Sequence, residues 1–317
     1  MATTLELFLQ GGTGNQLIQR AYAESLVRDS GALLRVNPLL LSPAWAALRG
    51  VTFRQRSAWL MDNIPETRPW PRQCLNLIRL CVARQRALVV HDGLSDVQVE
   101  TLVGIASAPI WVPLLGYFQR AQAFGAASDR FWIRLAERLR SEHQLRPYPA
   151  DQVALHVRLG DYLLPQNRRL FASLSIEQQL QAGLIWRERM GGQSPLHVIT
   201  DDPLAFISLC PEAYQSSVRL MSSGDSRKDF LTLCCHRLIV ATNSTFSLCA
   251  GKIAAMLWGN SQTTLLPSRW YSEQSRDNRQ QSEWEQLSFL VGYWPLVPHN
   301  DSVGRPATDF NIPQLGI

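Results

Sequence analysis

Apolar positions along the chain fall into short blocks whose spacing switches between strand and helix periods. Leu5–Leu9 is an apolar run of strand length, followed by a turn rich in glycine at Gly11, Gly12 and Gly14. From Asn15 onward, Leu17, Ile18, Ala21, Tyr22 and Leu26 recur at helical spacing, and Gly31 supplies a stop. Ala32–Val36 is the next strand, so the chain opens as a βαβ unit. Between Leu39 and Arg86, prolines and the tryptophans Trp45, Trp59 and Trp70 break the pattern into short helices. Leu88–Val90 reads as a strand. The longest apolar stretch, Ala108–Phe118, holds two prolines and is too short to cross a bilayer. Phe131–Leu145 is an amphipathic helix carrying Phe131, Leu135 and Leu139 on one face.

Arg146-Pro147-Tyr148-Pro149 interrupts that helix and stiffens the chain. The pattern then restarts, with strands at Val153–Val157, Leu196–Thr200, Leu238–Ala241 and Thr263–Leu266. Helices at Ser175–Met190, near Arg227–Cys235 and at Phe246–Trp258 alternate with them, which predicts a parallel α/β sheet. The expected organisation is an N-terminal Rossmann-like domain over 1–148, a second over 149–295 and a proline-rich tail over 296–317.

Composition narrows the class. Hydrophobic residues make up 46% of the 317 positions and charged residues 18%, which excludes a disordered chain. The net charge is +5, and Lys228 and Lys252 are the only lysines among 31 basic residues. Arginine forks bind phosphate in two-point fashion, although codon bias produces the same skew. No long basic run or aromatic-studded basic ribbon points to nucleic acid. The six cysteines include no CxxC pair, and the start lacks a signal-peptide pattern, so a protein of the reducing cytoplasm is expected.

Four polar motifs stand at the ends of predicted strands, where ligands of open α/β sheets bind. Gly11-Gly12-Thr13-Gly14-Asn15 joins a strand to a helix N-terminus that favours an anion; a tight turn capped by Asn15 accounts for it equally. In His156-Val157-Arg158-Leu159-Gly160-Asp161, strand alternation puts His156 and Arg158 on one side. Arg158 is thereby offered to the crevice, or to a pair with Asp161. Asp201-Asp202-Pro203 suits a metal, a ribose or a helix cap. Asn243-Ser244-Thr245-Phe246 at a helix start forms a phosphate cradle or a plain cap. Three further clusters have blander readings. Cys234-Cys235-His236 is too contiguous to chelate one zinc; Trp270, Trp284, Tyr293 and Trp294 suit core packing; Arg168-Arg169 suits a solvated loop.

Gly11–Leu26 resembles the opening of the α-1,2-fucosyltransferases, and His156–Tyr162 is similar to their HxRxGDY motif. Val198–Pro203 resembles their strand-Asp-Asp segment, and Gly116-Tyr117-Phe118-Gln119 their step before the second domain. Asp229-Phe230 through Asn243–Ser247 is similar to their final motif. These landmarks run in order from about residue 7 to 270.

The resemblance implies a GT-B-type fold of two facing Rossmann-type parallel-sheet domains, a GDP-L-fucose donor and inverting transfer without a metal or other cofactor. It implies Arg158 on the donor diphosphate, with His156 and Asn243, Ser244, Thr245 and Phe246 in the donor site. Gly12, Gly14 and Asp202 join the expected donor contacts, and Asn15 and Asp161 join Arg158 as candidates for catalysis. The acceptor is then a galactose-containing glycan; a lipid-linked one would bring peripheral contact with a membrane, although no basic amphipathic helix in the sequence demands it. Leu159 stands where a second arginine is expected, and Leu238 where a histidine is. Both suggest a second reading, a weakly active nucleotide-sugar or glycan-binding protein; a third keeps the fold with another donor or linkage. A dinucleotide dehydrogenase is disfavoured, since GxGxxG is absent and no acidic residue ends Ala32–Val36.

Overall fold

The computed structural model describes residues 3–28, 31–42, scattered positions between 60 and 101, 111–168, 171–172, 174–259, 263–272 and 287–294. The expected tail and Trp284 lie outside these residues, as do Cys74, Cys81 and Arg169.

Two parallel sheets form, as the alternation predicts. The first has the order β2-β1-β3, from β1 (Thr4–Phe8), β2 (Leu33–Asn37) and β3 (Trp111–Leu114). The second has the order β6-β5-β4-β7-β8-β9. Its strands are β4 (Val153–Val157), β5 (Leu196–Thr200), β6 (Val218–Leu220), β7 (Leu238–Val240), β8 (Thr264–Pro267) and β9 (Leu290–Trp294). Every residue of β4, β5, β7 and β8 is buried, as expected of inner parallel strands covered on both faces.

Three strands depart from the sequence pattern. β3 occupies the proline-bearing stretch; of the expected strand Leu88–Val90, Val90 forms an isolated bridge with Leu114, and Leu88 lies outside the described residues. Pro113 is tolerated because it pairs with Glu6 on one side while its carbonyl accepts from Val90 N on the other. Its missing N–H faces that outer edge, away from β1. β6 and β9 extend the second sheet at its two edges, and β9 takes up the segment whose Trp294 was read as core. Trp294 is buried and its indole N–H donates to the Ala241 carbonyl at 3.0 Å.

Five helices matter for the site: α1 (Thr13–Arg28), α2 (Asp129–His143), α3 (Ile176–Arg189), α4 (Pro203–Leu209) and α5 (Ser226–Cys234). A sixth, α6 (Thr245–Trp258), follows β7 and packs on both α1 and α2. Through it one apolar core runs from Leu5, Leu17 and Trp132 to Ile253 and Leu266, joining the two sheets.

Strand order fixes where a ligand belongs. In the second sheet the chain moves outward through β5 and β6, then returns to the other side of β4 with β7. The crevice of such a sheet opens at the carboxyl ends of the two strands flanking that reversal. Arg158 follows β4 there, and Asn243 follows β7. In the first sheet the reversal lies between β1 and β3, which are followed by Gly11–Asn15 and by Gly116–Gln119.

Candidate active site

Arg158 leaves the end of β4 with its guanidinium already held. Nη2 bonds Asp161 Oδ1 at 2.8 Å, Nη1 pairs with Asp201 Oδ2 at 3.1 Å, and the Tyr162 ring centroid lies 5.6 Å away. Asp201 is itself fixed by the backbone, its Oδ1 accepting from Leu159 N at 2.8 Å. A fork held by two carboxylates keeps its plane and retains further N–H donors for an incoming anion.

The neighbouring Asp202 has another task. Its Oδ1 accepts from Ala205 N at 3.0 Å and caps α4, which Pro203 begins. Asp202 is thus engaged as a helix cap, and Asp201 is the carboxylate that reaches Arg158. Adjacent residues diverge at a strand end, so one of the pair had to turn away.

His156 is buried and stacks on Phe246, with ring centroids 5.5 Å apart. Its Nδ1 has no hydrogen-bond partner among the described residues. Burial, reinforced by the Arg158 charge, pushes its pKa down to about 3, so the ring is neutral at physiological pH. His156 and Arg158 line a pocket of about 470 Å3 together with Asp229, Ser226 and Phe246. Asp229 is buried, and its Oδ1 accepts from Ser223 N at 2.7 Å and Ser223 Oγ at 2.9 Å.

The three small polar residues Asn243, Ser244 and Thr245 after β7 divide the work. Asn243 Nδ2 donates to the carbonyls of Trp270 at 2.9 Å and Ala172 at 3.3 Å, and its buried Oδ1 has no partner among the described residues. Ser244 caps α6. Thr245 Oγ1 donates to Asn15 Oδ1 at 3.0 Å, and Gln119 Nε2 donates to the same oxygen at 2.9 Å. Tyr162 completes the wall by donating its hydroxyl proton to the Asn243 carbonyl at 2.6 Å. Burial raises the Tyr162 pKa, against the lowering effect of Arg158.

Gly14 lies where the two halves touch. A Cβ there would stand 2.3 Å from the Thr245 carbonyl carbon and 2.6 Å from Phe246 N. Gly12 faces open space, with nothing within 4 Å of such a carbon.

An open cleft of about 1200 Å3 thus collects Gly12, Gly14, Asn15, Arg158, Asp161 and the Asn243–Phe246 segment. Tyr162, Gln119, Phe171, Ser226 and Trp270 also line it. Asp229 is not among the expected site residues, and Asp201 enters the sequence reading only with Asp202, as a metal, ribose or cap candidate. Leu159 and Leu238 are both buried in the apolar core of the second sheet. His236 lies at the opposite end of that sheet, 2.9 Å from His197 and stacked on Tyr148. Among the described residues no group of three His, Cys, Asp or Glu could hold a metal ion.

Comparison with known proteins gives one family. The model of glycosyl transferase family 11 matches residues 100–288, more than half of the chain. A search of curated proteins gives no match. Among solved structures, a mutant of Arabidopsis thaliana FUT1 with GDP is similar at 10% identity and a TM-score of 0.44, covering 80% of this chain and 69% of that one. POFUT1 with GDP is similar at 12% identity and a TM-score of 0.43, covering 84% and 98%. NodZ α-1,6-fucosyltransferase soaked with GDP-fucose is similar at 15% identity and a TM-score of 0.38, covering 80% and 93%. The assignment rests on the family match.

Proposed function

The chain belongs to glycosyl transferase family 11, and on that premise we propose that it transfers L-fucose from GDP-L-fucose to a galactoside hydroxyl, as a galactoside 2-α-L-fucosyltransferase. One observation carries the reading: Arg158, the N-terminus of α6 and the Gly12–Asn15 turn converge on a single cleft at the chain-reversal points of both sheets.

The donor diphosphate lies between the Arg158 fork and the free amides of α6, where cation and helix dipole both favour it. The guanine occupies the smaller pocket. There the Asp229 carboxylate faces the purine N–H donors, and the neutral His156 and the Phe246 ring offer apolar faces. Asp161 and Asp201 act as positioning residues, holding the guanidinium planar before the donor arrives.

In the reaction the bond from the fucose anomeric carbon to the β-phosphate oxygen breaks. The acceptor oxygen forms its bond to that carbon from the opposite face, and the anomeric configuration inverts. Negative charge grows on the leaving GDP, where Arg158 and the helix amides are already oriented. The hydroxyl proton passes to water or to a cleft carboxylate. The acceptor enters from the Gly12–Asn15 side, in the half of the chain expected over 1–148. The reaction takes place in the cytoplasm, at the membrane face when the galactoside is lipid-linked.

The reading uses no metal, and full turnover in EDTA is its check. The direct test is GDP release from GDP-fucose with galactoside acceptors, followed by linkage analysis of the product. A 2-linked α-fucoside is the expected product. GDP-fucose binding with no turnover on any galactoside would favour the binding-protein alternative. Turnover with another nucleotide sugar would reassign the donor.

A further inference from the structure

We propose that the Tyr117 ring is the platform on which the acceptor sugar stacks, and that Asp92 holds it in place. The identity of that sugar rests on the reading of a galactoside acceptor. Tyr117 follows β3 in the Gly116–Gln119 segment, and the donor site gives it no task. Its side chain is 42% exposed, between a buried Gly116 and a buried Phe118. Single exposed aromatics are ordinary on a protein surface. What sets this one apart is how firmly the backbone around it is fixed.

Three constraints act on the turn. Asp92 Oδ2 accepts from Tyr117 N at 2.8 Å, and Oδ1 accepts from Phe118 N at 2.7 Å. Gly116 makes room for that carboxylate, since a Cβ there would stand 2.7 Å from Asp92 Oδ2. Phe118 has a φ of 48°, in the left-handed region that a bulky side chain rarely enters. Its ring is buried and stacks on Tyr22 of α1 with centroids 4.8 Å apart. A backbone of this kind persists only where its surroundings over-determine it, and such residues gather at functional sites. The turn sends three successive side chains three ways. Tyr117 points outward, Phe118 enters the core, and Gln119 reaches Asn15 Oδ1.

The same turn sets where the ring lies. A Cβ on Gly11, whose φ is +76°, would stand 2.9 Å from Tyr117 Cε1 and 2.7 Å from Asn15 Nδ2. The ring edge and the Asn15 amide therefore meet over Gly11, at the margin of the turn that lines the cleft. Gln119, two residues beyond Tyr117, lines that cleft together with Asn15.

A pyranose needs this combination, an apolar face beside hydrogen-bonding amides. The negative face of an aromatic ring attracts polarised C–H groups. Galactose suits it, because its axial O4 leaves the C–H groups at positions 3, 4 and 5 together on one side of the sugar. A ring whose backbone is already fixed loses little freedom when the sugar binds, so the contact is realised in affinity.

The test is an NMR titration of the full chain, loaded with GDP, with methyl β-D-galactoside. Saturation transfer is expected to be strongest at the sugar protons H3, H4 and H5. Tyr117→Ala should weaken galactoside binding about ten-fold, and Tyr117→Phe should bind as the parent does. Asp92→Asn removes one of the two backbone acceptors and should weaken binding as well, with GDP affinity unchanged in all three variants. Parent-like galactoside binding in Tyr117→Ala, or no binding by the parent, overturns the proposal. So does a Tyr117→Ala melting temperature several degrees below the parent, which would give the ring to packing within this chain. Galactoside binding that needs Tyr117, in a protein that transfers no fucose, keeps the platform and defeats the transfer reading. Transfer to galactosides that Tyr117→Ala leaves intact does the reverse.

Discussion

Thr245 donates its hydroxyl proton to Asn15 Oδ1 at 3.0 Å, across a sequence separation of 230 residues. Both residues stand at the start of a helix, and both helices face the cleft. Their bond, shared with Gln119, ties the halves together beside the cleft.

This bond sets the first prediction. Thr245→Val should lower stability by about 0.5–1.5 kcal/mol, the usual net value of one hydrogen bond. Asn15→Ala should cost more, because Gln119 Nε2 loses the same acceptor, and the double variant less than the sum of the two. Urea unfolding of the four proteins measures that coupling. Additive losses would show that the two side chains act independently. GDP affinity should change little in Thr245→Val, because the hydroxyl is already engaged.

The glycines of the first turn separate packing from ligand contact. Gly14→Ala drives a methyl into the Thr245 backbone, which cannot move without displacing α6. A melting temperature several degrees below the parent is expected, with activity falling in parallel. Gly12→Ala meets open space, so its melting curve should be unchanged. Lower donor affinity in Gly12→Ala would mean that a ligand approaches the backbone there. Unchanged affinity would leave Gly12 as a turn residue only.

The inner architecture was legible because parallel strands are apolar throughout and their helices carry clear periods. β4 and β5 fall where the pattern puts them, and α6 starts one residue earlier. β3 was hidden by Pro113, whose edge placement no sequence reveals. The site was legible to the same extent. Arg158 and Asn243 declare themselves as polar residues at strand ends, and chain reversal on either side of β4 brings them together. Which of Asp201 and Asp202 reaches Arg158 was not legible, because both suit a cap and only tertiary packing decides. The pairing of Asn15 with Thr245 is invisible for the same reason: nothing local in either segment names the other.

Three buried histidines, His156, His197 and His236, set an acid limit, and burial pushes the His197 pKa down as well. His156 and His236 both have pKa values pushed down to about 3, in each case chiefly by burial. Unfolded, each would bind a proton near pH 6.5. Stability from these groups is therefore complete above pH 6.5 and is lost as pH falls toward 3. Below 6.5 the loss approaches about 1.4 kcal/mol per pH unit for each histidine. Urea midpoints at pH 7.5, 6 and 5 should fall accordingly, and His156→Gln should remove part of the dependence between pH 6.5 and 5. A midpoint that does not move across this range would contradict neutral burial of both rings.

The remaining prediction concerns Arg158 and the carboxylates that hold it. If the guanidinium stabilises charge on departing GDP, Arg158→Ala should lower kcat by about 10²–10³. Arg158→Lys should recover little, because one ammonium cannot span Asp161, Asp201 and a diphosphate with a planar fork. Asp201→Asn isolates the positioning role. The amide oxygen still accepts from Leu159 N, so the fold is retained, but the ion pair with Arg158 is gone. One negative charge also leaves the neighbourhood of the diphosphate. GDP should then bind as tightly as before or more tightly, while kcat falls about ten-fold because the fork is no longer held in plane. A purely structural Asp201 would lower the melting temperature and leave kcat per folded molecule unchanged. Near-normal turnover in Arg158→Ala would remove Arg158 from the chemistry. Equal losses of kcat and GDP affinity in Asp201→Asn would point to direct donor binding by that carboxylate. Steady-state kinetics, GDP titration calorimetry and a melting curve on each of the three variants separate these outcomes.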